Sequence, residues 1–335
     1  MKERWMRCLT VGIFLAVLCL GAAGLSRKEN RTEETAQTVQ TKDDMEEKEP
    51  KAEEDSRDPQ VQTVDLMIFA GQSNMAGNGD ASQAPDVPAG HGYEFRAVTD
   101  PTRLYPVEEP FGIEENREGG IYDIWADSGT RRKLGDLVPA FMNSYFETAG
   151  VAAVGVSASE GATTVDQWLP GTDRYEDMKA RAEAARAFLV QSGEYELRHT
   201  YVIWCQGESD GDAGITEEGY YEAFGQLING ILSDGIAETC MVIRIGNFGA
   251  DAKKYDKVMA AQTRYCKEYP GAVLISTRFA EMADTGLMRD VYHYTQEGYN
   301  LVGEEAGENC GQYSNTGKEP GLWDYEADEL YVPEG

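Results

Sequence analysis

A chain of 335 residues, 41% of them apolar, is long enough for one large α/β domain or two small ones and can bury a real core. Its formal charge of -29 sets up a field that repels phosphate, which excludes nucleic acid and anionic membrane surfaces as partners. A neutral or cationic partner such as a glycan fits that charge better.

Residues 1–25 carry Lys2, Arg4 and Arg7 ahead of an apolar run from Cys8 to Leu25, the pattern of a signal peptide or signal anchor. The expected location is secreted, or anchored on the outer face of the cell membrane. The run of about 18 residues lies between a signal-peptide core and a minimal span. Cleavage after Ala22-Ala23-Gly24 and retention as a membrane tether through residues 8–25 both stand open. Leu18, directly before Cys19, is too large for a lipoprotein cleavage signal. Residues 26–60 are dominated by charge, Thr and Gln with almost no aliphatic side chain, so they cannot offset their ordering entropy by burial. They read as a charged disordered linker ahead of a catalytic domain over 61–335.

Within that domain, apolar strand candidates fall at 64–70, 151–156, 200–205, 240–245 and 272–276. Helical spacing of apolar residues marks 175–191, 216–233 and 252–268, and a last helix-like segment, 295–308, follows the last strand. Short strands apolar on both faces, separated by helices, predict a doubly covered, mostly parallel sheet of about five strands in a three-layer α/β/α sandwich. Residues 78–135 break the alternation. They are rich in Gly, Pro and charge with dispersed aromatics, and read as a long structured insertion after the first strand. The C-terminal segment from Gly317, with Trp323, Tyr325 and Tyr331, is expected to lie along the domain surface. The cysteines past residue 25 (Cys205, Cys240, Cys266, Cys310) contain no CxxC pair, so no metal site is expected. One or two disulfides among them are possible in an oxidising compartment, and their pairing is not legible.

The first strand ends in Gly71-Gln72-Ser73-Asn74-Met75-Ala76-Gly77, at the carboxyl end of a strand, where open α/β sheets gather reactive groups. By itself Ser73 fits a helix N-cap as well as a nucleophile. A serine nucleophile needs a base, and the chain has three histidines. His91 lies in the insertion and His199 just before a strand, at the end opposite the reactive face. His293 stands in Asp290-Val291-Tyr292-His293, where Asp290 can hold the imidazole tautomer while His293 takes the serine proton. After another strand, Gln206 of Trp204-Cys205-Gln206-Gly207-Glu208-Ser209-Asp210 could donate to an oxyanion, or form a polar turn. Gly161, opening Gly161-Ala162-Thr163-Thr164-Val165-Asp166-Gln167-Trp168, could bring a backbone N–H close to substrate. Trp168 fits a sugar-stacking platform or a core aromatic equally.

These four segments, in this order, resemble the SGNH hydrolase superfamily (an SGNH/flavodoxin-like fold) and, within it, the carbohydrate acetylesterase and sialate O-acetylesterase-like families. The resemblance spans about residues 66–307. It implies a catalytic triad of Ser73, Asp290 and His293, an oxyanion hole from Ser73, Gly161 and Gln206, and supporting roles for Asn74, Glu208 and Asp210. The chain departs from the family at Ala162, where a second glycine is usual, and at Cys205, often His. The function implied is hydrolysis of O-acetyl groups on carbohydrate, of acetylxylan or sialic acid type, through an acetyl-enzyme and without metal or organic cofactor. The alternative is a catalytically inactive, envelope-tethered glycan-binding module, which predicts a missing catalytic residue. None is missing. A lipase-type esterase would call for a G-x-S-x-G elbow, absent around Ser73.

Overall fold

The computed structural model describes residues 61–115 and 133–333. The expected export segment and linker (residues 1–60) and Tyr122 and Trp125 of the insertion lie outside these residues. Among the described residues no helix is long and apolar enough to cross a membrane.

The first strand, β1 (Gln62–Gly71), explains the architecture by itself. Val64, Leu66, Ile68 and Ala70 point into one core and Met67 and Phe69 into another, all within 1% of complete burial. With a side-chain period of two, a strand apolar at every position from Leu66 to Ala70 must be covered on both faces there. Helices α3 (Asp173–Ser192), α5 (Glu217–Ser233) and α6 (Asp256–Glu268) cover the first face; α2 (Val138–Ala149) and α7 (Gln296–Thr316) cover the second.

With β2 (Gly92–Phe95), β3 (Leu104–Pro106), β4 (Ala152–Ser159), β5 (Tyr195–Cys205), β6 (Thr239–Ile243) and β7 (Ala272–Ser276), the central sheet runs β3-β2-β4-β1-β5-β6-β7. All neighbours are parallel except β2 with β3. The sandwich is as expected, but among the described residues the sheet has seven strands rather than about five. The two extra strands, β2 (Gly92–Phe95) and β3 (Leu104–Pro106), come from the insertion and extend the sheet past β4. Helix α2 was also not predicted. The C-terminal segment forms a hairpin, β8 (Leu322–Asp324) with β9 (Glu329–Tyr331). It does more than lie on the surface: Leu322 and Tyr331 are buried in the first core. Asp324 accepts two hydrogen bonds of 2.6 Å from the buried Arg244 guanidinium. All four cysteines of the described residues are free and buried.

The chain passes from β1 to β4 on one side and then crosses to β5 on the other, so the direction of winding reverses at β1. Ligands of open α/β sheets bind at such a switch point, beyond the carboxyl ends of the strands. Gly71 closes β1 there, in register with Ser159 of β4 and Cys205 of β5. Its φ of +133° and the 2.0 Å that would separate an added Cβ from the Cys205 carbonyl oxygen require glycine. The register then carries the segments following β1, β4 and β5 to one place.

Candidate active site

Ser73 opens a four-residue helix, α1 (Ser73–Ala76). Gln72, not Ser73, occupies the N-cap position, and no side chain caps the helix, so the Ser73 hydroxyl is not used for capping. Instead the His293 Nε2 lies 3.1 Å from Ser73 Oγ. On the other side of the ring, His293 Nδ1 is 2.9 Å from Asp290 Oδ2 and 3.1 Å from Oδ1. A carboxylate on Nδ1 fixes the proton there and leaves the Nε2 lone pair facing the serine. Asp290 is itself held by the N–H groups of Tyr292 (2.8 Å) and His293 (2.9 Å). Burial opposes its charge, but hydrogen bonds from the His293 ring and the Tyr292 N–H outweigh burial and keep the carboxyl below its ordinary range. The structure thus brings together Ser73, Asp290 and His293. It leaves the other histidines elsewhere: His91 stacks on Phe146 with centroids 4.1 Å apart, and His199 pairs with Glu238.

A cavity of about 290 Å³ opens over Ser73. Gly161, Ala162 and Glu208 line it with His293, as do Gln72 and Tyr292, which the sequence reading did not single out. The loop carrying Gly161 is tied to the end of β1 by the Glu160 N–H donating to the Gly71 carbonyl (2.9 Å). The N–H groups of Ser73 and Gly161 have no protein acceptor among the described residues. Ala162 sits at φ +58°, a left-handed conformation that glycine adopts without strain. That accounts for the glycine usual at this position.

The supporting residues have definite contacts. Asn74 Nδ2 donates to Glu208 Oε1 (2.5 Å) and to the Tyr292 carbonyl (3.2 Å), and its Oδ1 accepts from the Tyr299 hydroxyl (2.8 Å). One buried amide therefore joins the nucleophile helix to the loop that carries His293. Burial raises the Glu208 carboxyl to about 7, and Oε2 has no hydrogen-bond partner among the described residues. Asp210, in the short helix α4 (Glu208–Asp212) and raised to about 6 chiefly by burial, accepts from the Val165 N–H at 3.1 Å and from Gln206 Nε2 at 2.5 Å. It links the loop after β5 to the loop after β4.

Two sequence expectations are corrected. Trp168 is fully buried, edge-on against Trp204 at 5.5 Å, with its Nε1–H donated to Thr163 Oγ1. It has no face for a sugar and is a core aromatic. Gln206 is also fully buried and does not line the cavity; its Nε2 donates to the Thr163 carbonyl (2.7 Å) and to Asp210. Its donors are committed within the protein, so it offers none to an oxyanion. Tyr292, in contrast, is 40% exposed at the cavity, with its ring 5.0 Å from that of Phe248. Its signal in the sequence was an aromatic one residue before the base.

The fold has a counterpart among solved structures. A solved structure of a protein from Arabidopsis thaliana shares 23% identity and a TM-score of 0.54, covering 75% of this chain and 98% of that one. A carbohydrate acetylesterase from Xanthomonas citri shares 15% identity, with a TM-score of 0.47 and coverage of 78% and 58%. No curated protein matches the sequence. The family model described as carbohydrate esterase, sialic acid-specific acetylesterase matches residues 63–312, from β1 into α7. The chain belongs to that carbohydrate esterase family and is a carboxylic ester hydrolase.

Proposed function

We propose that the protein removes O-acetyl groups from carbohydrate through an acetyl-enzyme on Ser73. The observation that carries this reading is the unbroken hydrogen-bonded line from Asp290 through His293 to Ser73 Oγ, opening into a cavity. An intact triad of this geometry argues against an inactive glycan-binding module.

His293 Nε2 accepts the Ser73 proton as Oγ attacks the acetyl carbonyl carbon. Asp290 stabilises the imidazolium that forms. The negative charge that develops on the carbonyl oxygen is met by the N–H groups of Ser73 and Gly161. Collapse breaks the ester C–O bond, and His293 returns the proton to the departing sugar oxygen. Water, deprotonated by His293, then attacks the acetyl carbonyl; acetate leaves and the serine is regenerated. Every proton passes through one imidazole. The exposed Tyr292 ring, backed by Phe248, suits the apolar face of a sugar. The small cavity suits acetyl better than a long acyl chain.

Acetate release from acetylated xylan oligosaccharides and from O-acetylated sialic acid, by the native chain and by Ser73→Ala, tests the reading. Release from at least one glycan that disappears in Ser73→Ala supports it; release that survives the substitution refutes it. The location that goes with this function is outside the cytoplasm, secreted or held on the outer membrane face, and is supported by Lys2, Arg4 and Arg7 before the apolar run 8–25. Fractionation of cells expressing the full chain checks it.

A further inference from the structure

Besides Tyr292, the cavity over Ser73 carries a carboxylate that the acetyl-transfer steps do not use. Asp212 is the last residue of α4 and lines the cavity with Ser209 and Tyr292. Two donors meet one of its oxygens: the Tyr255 hydroxyl at 2.9 Å and the Lys254 ammonium at 2.5 Å, both on Oδ1. Tyr255 is 1% exposed, and Gly211 lets it come this close, since a Cβ there would lie 2.3 Å from Tyr255 Cδ1. Oδ1 is thus anchored, while Oδ2 has no donor among the described residues. A carboxylate oxygen accepts hydrogen bonds and gives none, so its counterpart in a ligand is a hydroxyl or an N–H.

The same lysine joins this carboxylate to the aromatic wall. Lys254 Nζ lies 4.0 Å from the centroid of the Phe248 ring, which packs 5.0 Å from that of Tyr292. The Gly249 N–H donates to the Val291 carbonyl (2.9 Å) and pins the loop bearing Phe248 and Lys254 to the segment that carries His293. An exposed ring and an anchored acceptor therefore share one cavity with the nucleophile. A pyranose presents the matching pair, C–H groups on its face and hydroxyls at its edge.

We infer that Asp212 determines specificity: its Oδ2 accepts a hydrogen bond from a free hydroxyl of the acetylated sugar. The substrate class is then a partly acetylated glycan, with an unmodified hydroxyl near the ester, in preference to a fully acetylated one. The inference rests on the esterase reading above. A hydroxyl bonded to a carboxylate makes one of the stronger hydrogen bonds. It forms when the sugar binds and persists through acyl transfer, so it acts on KM rather than on kcat.

The test measures initial rates of hydrolysis by the full chain, Asp212→Asn and Asp212→Ala on three kinds of ester: p-nitrophenyl acetate, which has no hydroxyl, and the monoacetylated and peracetylated forms of methyl β-xyloside. In Asp212→Asn an oxygen remains for Tyr255 and Lys254, and an amide donor takes the place of Oδ2. The parent should favour the monoacetates over the peracetate by about tenfold or more in kcat/KM. Relative to p-nitrophenyl acetate, both variants should lose about tenfold or more on the monoacetates, through KM. A merely structural Asp212 would lower all three kinds of ester alike. The parental comparison needs no variant, and its failure alone is decisive. If the parent hydrolyses p-nitrophenyl acetate but does not prefer the monoacetates, or if folded variants keep the parental KM for them, the Asp212 assignment is overturned and the esterase reading stands. A parent chain without ester hydrolysis overturns both.

Discussion

Glu208→Gln should stabilise the protein at pH 8 and do far less at pH 5. Burial is the largest cause of the raised Glu208 pKa, opposed by the Asn74 hydrogen bond and reinforced by Asp210 and Asp212, and the result is about 7 against an ordinary 4.5. The folded state thus holds a proton that the unfolded state has released between those values, so stability falls as pH rises through this window and the loss is complete above about pH 7. The shift corresponds to about 3 kcal/mol at pH 8. Glutamine keeps an oxygen for Asn74 and removes the ionisation. The amide placed at the unpartnered Oε2 position adds a cost of its own, but that cost is the same at both pH values. The Tm of the variant relative to the parent should therefore be higher at pH 8 than at pH 5 by roughly 5–10 °C. Asp210 and Glu305, also raised by burial, titrate in both proteins and cancel in the comparison. Thermal unfolding followed by circular dichroism at the two pH values makes the measurement. An equal Tm difference at both would refute the reasoning.

Asn74→Ala removes the tie between the nucleophile helix and the Tyr292 carbonyl and leaves Glu208 Oε1 and the Tyr299 hydroxyl without that partner. Steady-state kinetics should show kcat down about tenfold or more, alongside a stability loss of about 1–3 kcal/mol. Ala162→Gly relieves a left-handed alanine, and denaturant titration should show a gain of about 1 kcal/mol with acetyl-ester hydrolysis retained. Arg244→Ala strands the buried Asp324 carboxylate and loosens the C-terminal hairpin. Urea titration should show a loss of about 3–5 kcal/mol.

The parts of the fold that the sequence disclosed are those where burial acts on both faces of a strand. In β1, β4, β5, β6 and β7 it produces apolar runs over the inner part of each strand, and these mark the strands in the sequence to within a few residues. Strands β2 and β3 are four and three residues long and carry Glu94 and Tyr105 among mixed neighbours, so no periodicity could develop. Helix α2 was hidden by Pro139, which reads as a breaker but stands in the first turn, where its missing N–H costs nothing. For the site, three histidines, of which His293 alone follows a carboxylate by three residues, narrowed the choice of base. Gln206 and Trp168 were misread for one shared reason. Residue type shows that an amide can donate or a ring can stack, but whether the group faces a cavity or the interior depends on neighbours distant in sequence: Asp210 and Thr163 for Gln206, Trp204 for Trp168.

The central claim is that Ser73 carries the acetyl group during turnover. Mixing the protein with p-nitrophenyl acetate, quenching in acid within the burst phase and mapping the peptides by mass spectrometry tests it directly. The account predicts one acetyl group, on Ser73, accumulating with the burst and absent from Ser73→Ala and from His293→Ala. Hydrolysis that proceeds in Ser73→Ala, or a turnover-linked acetyl group on a different residue, would contradict it.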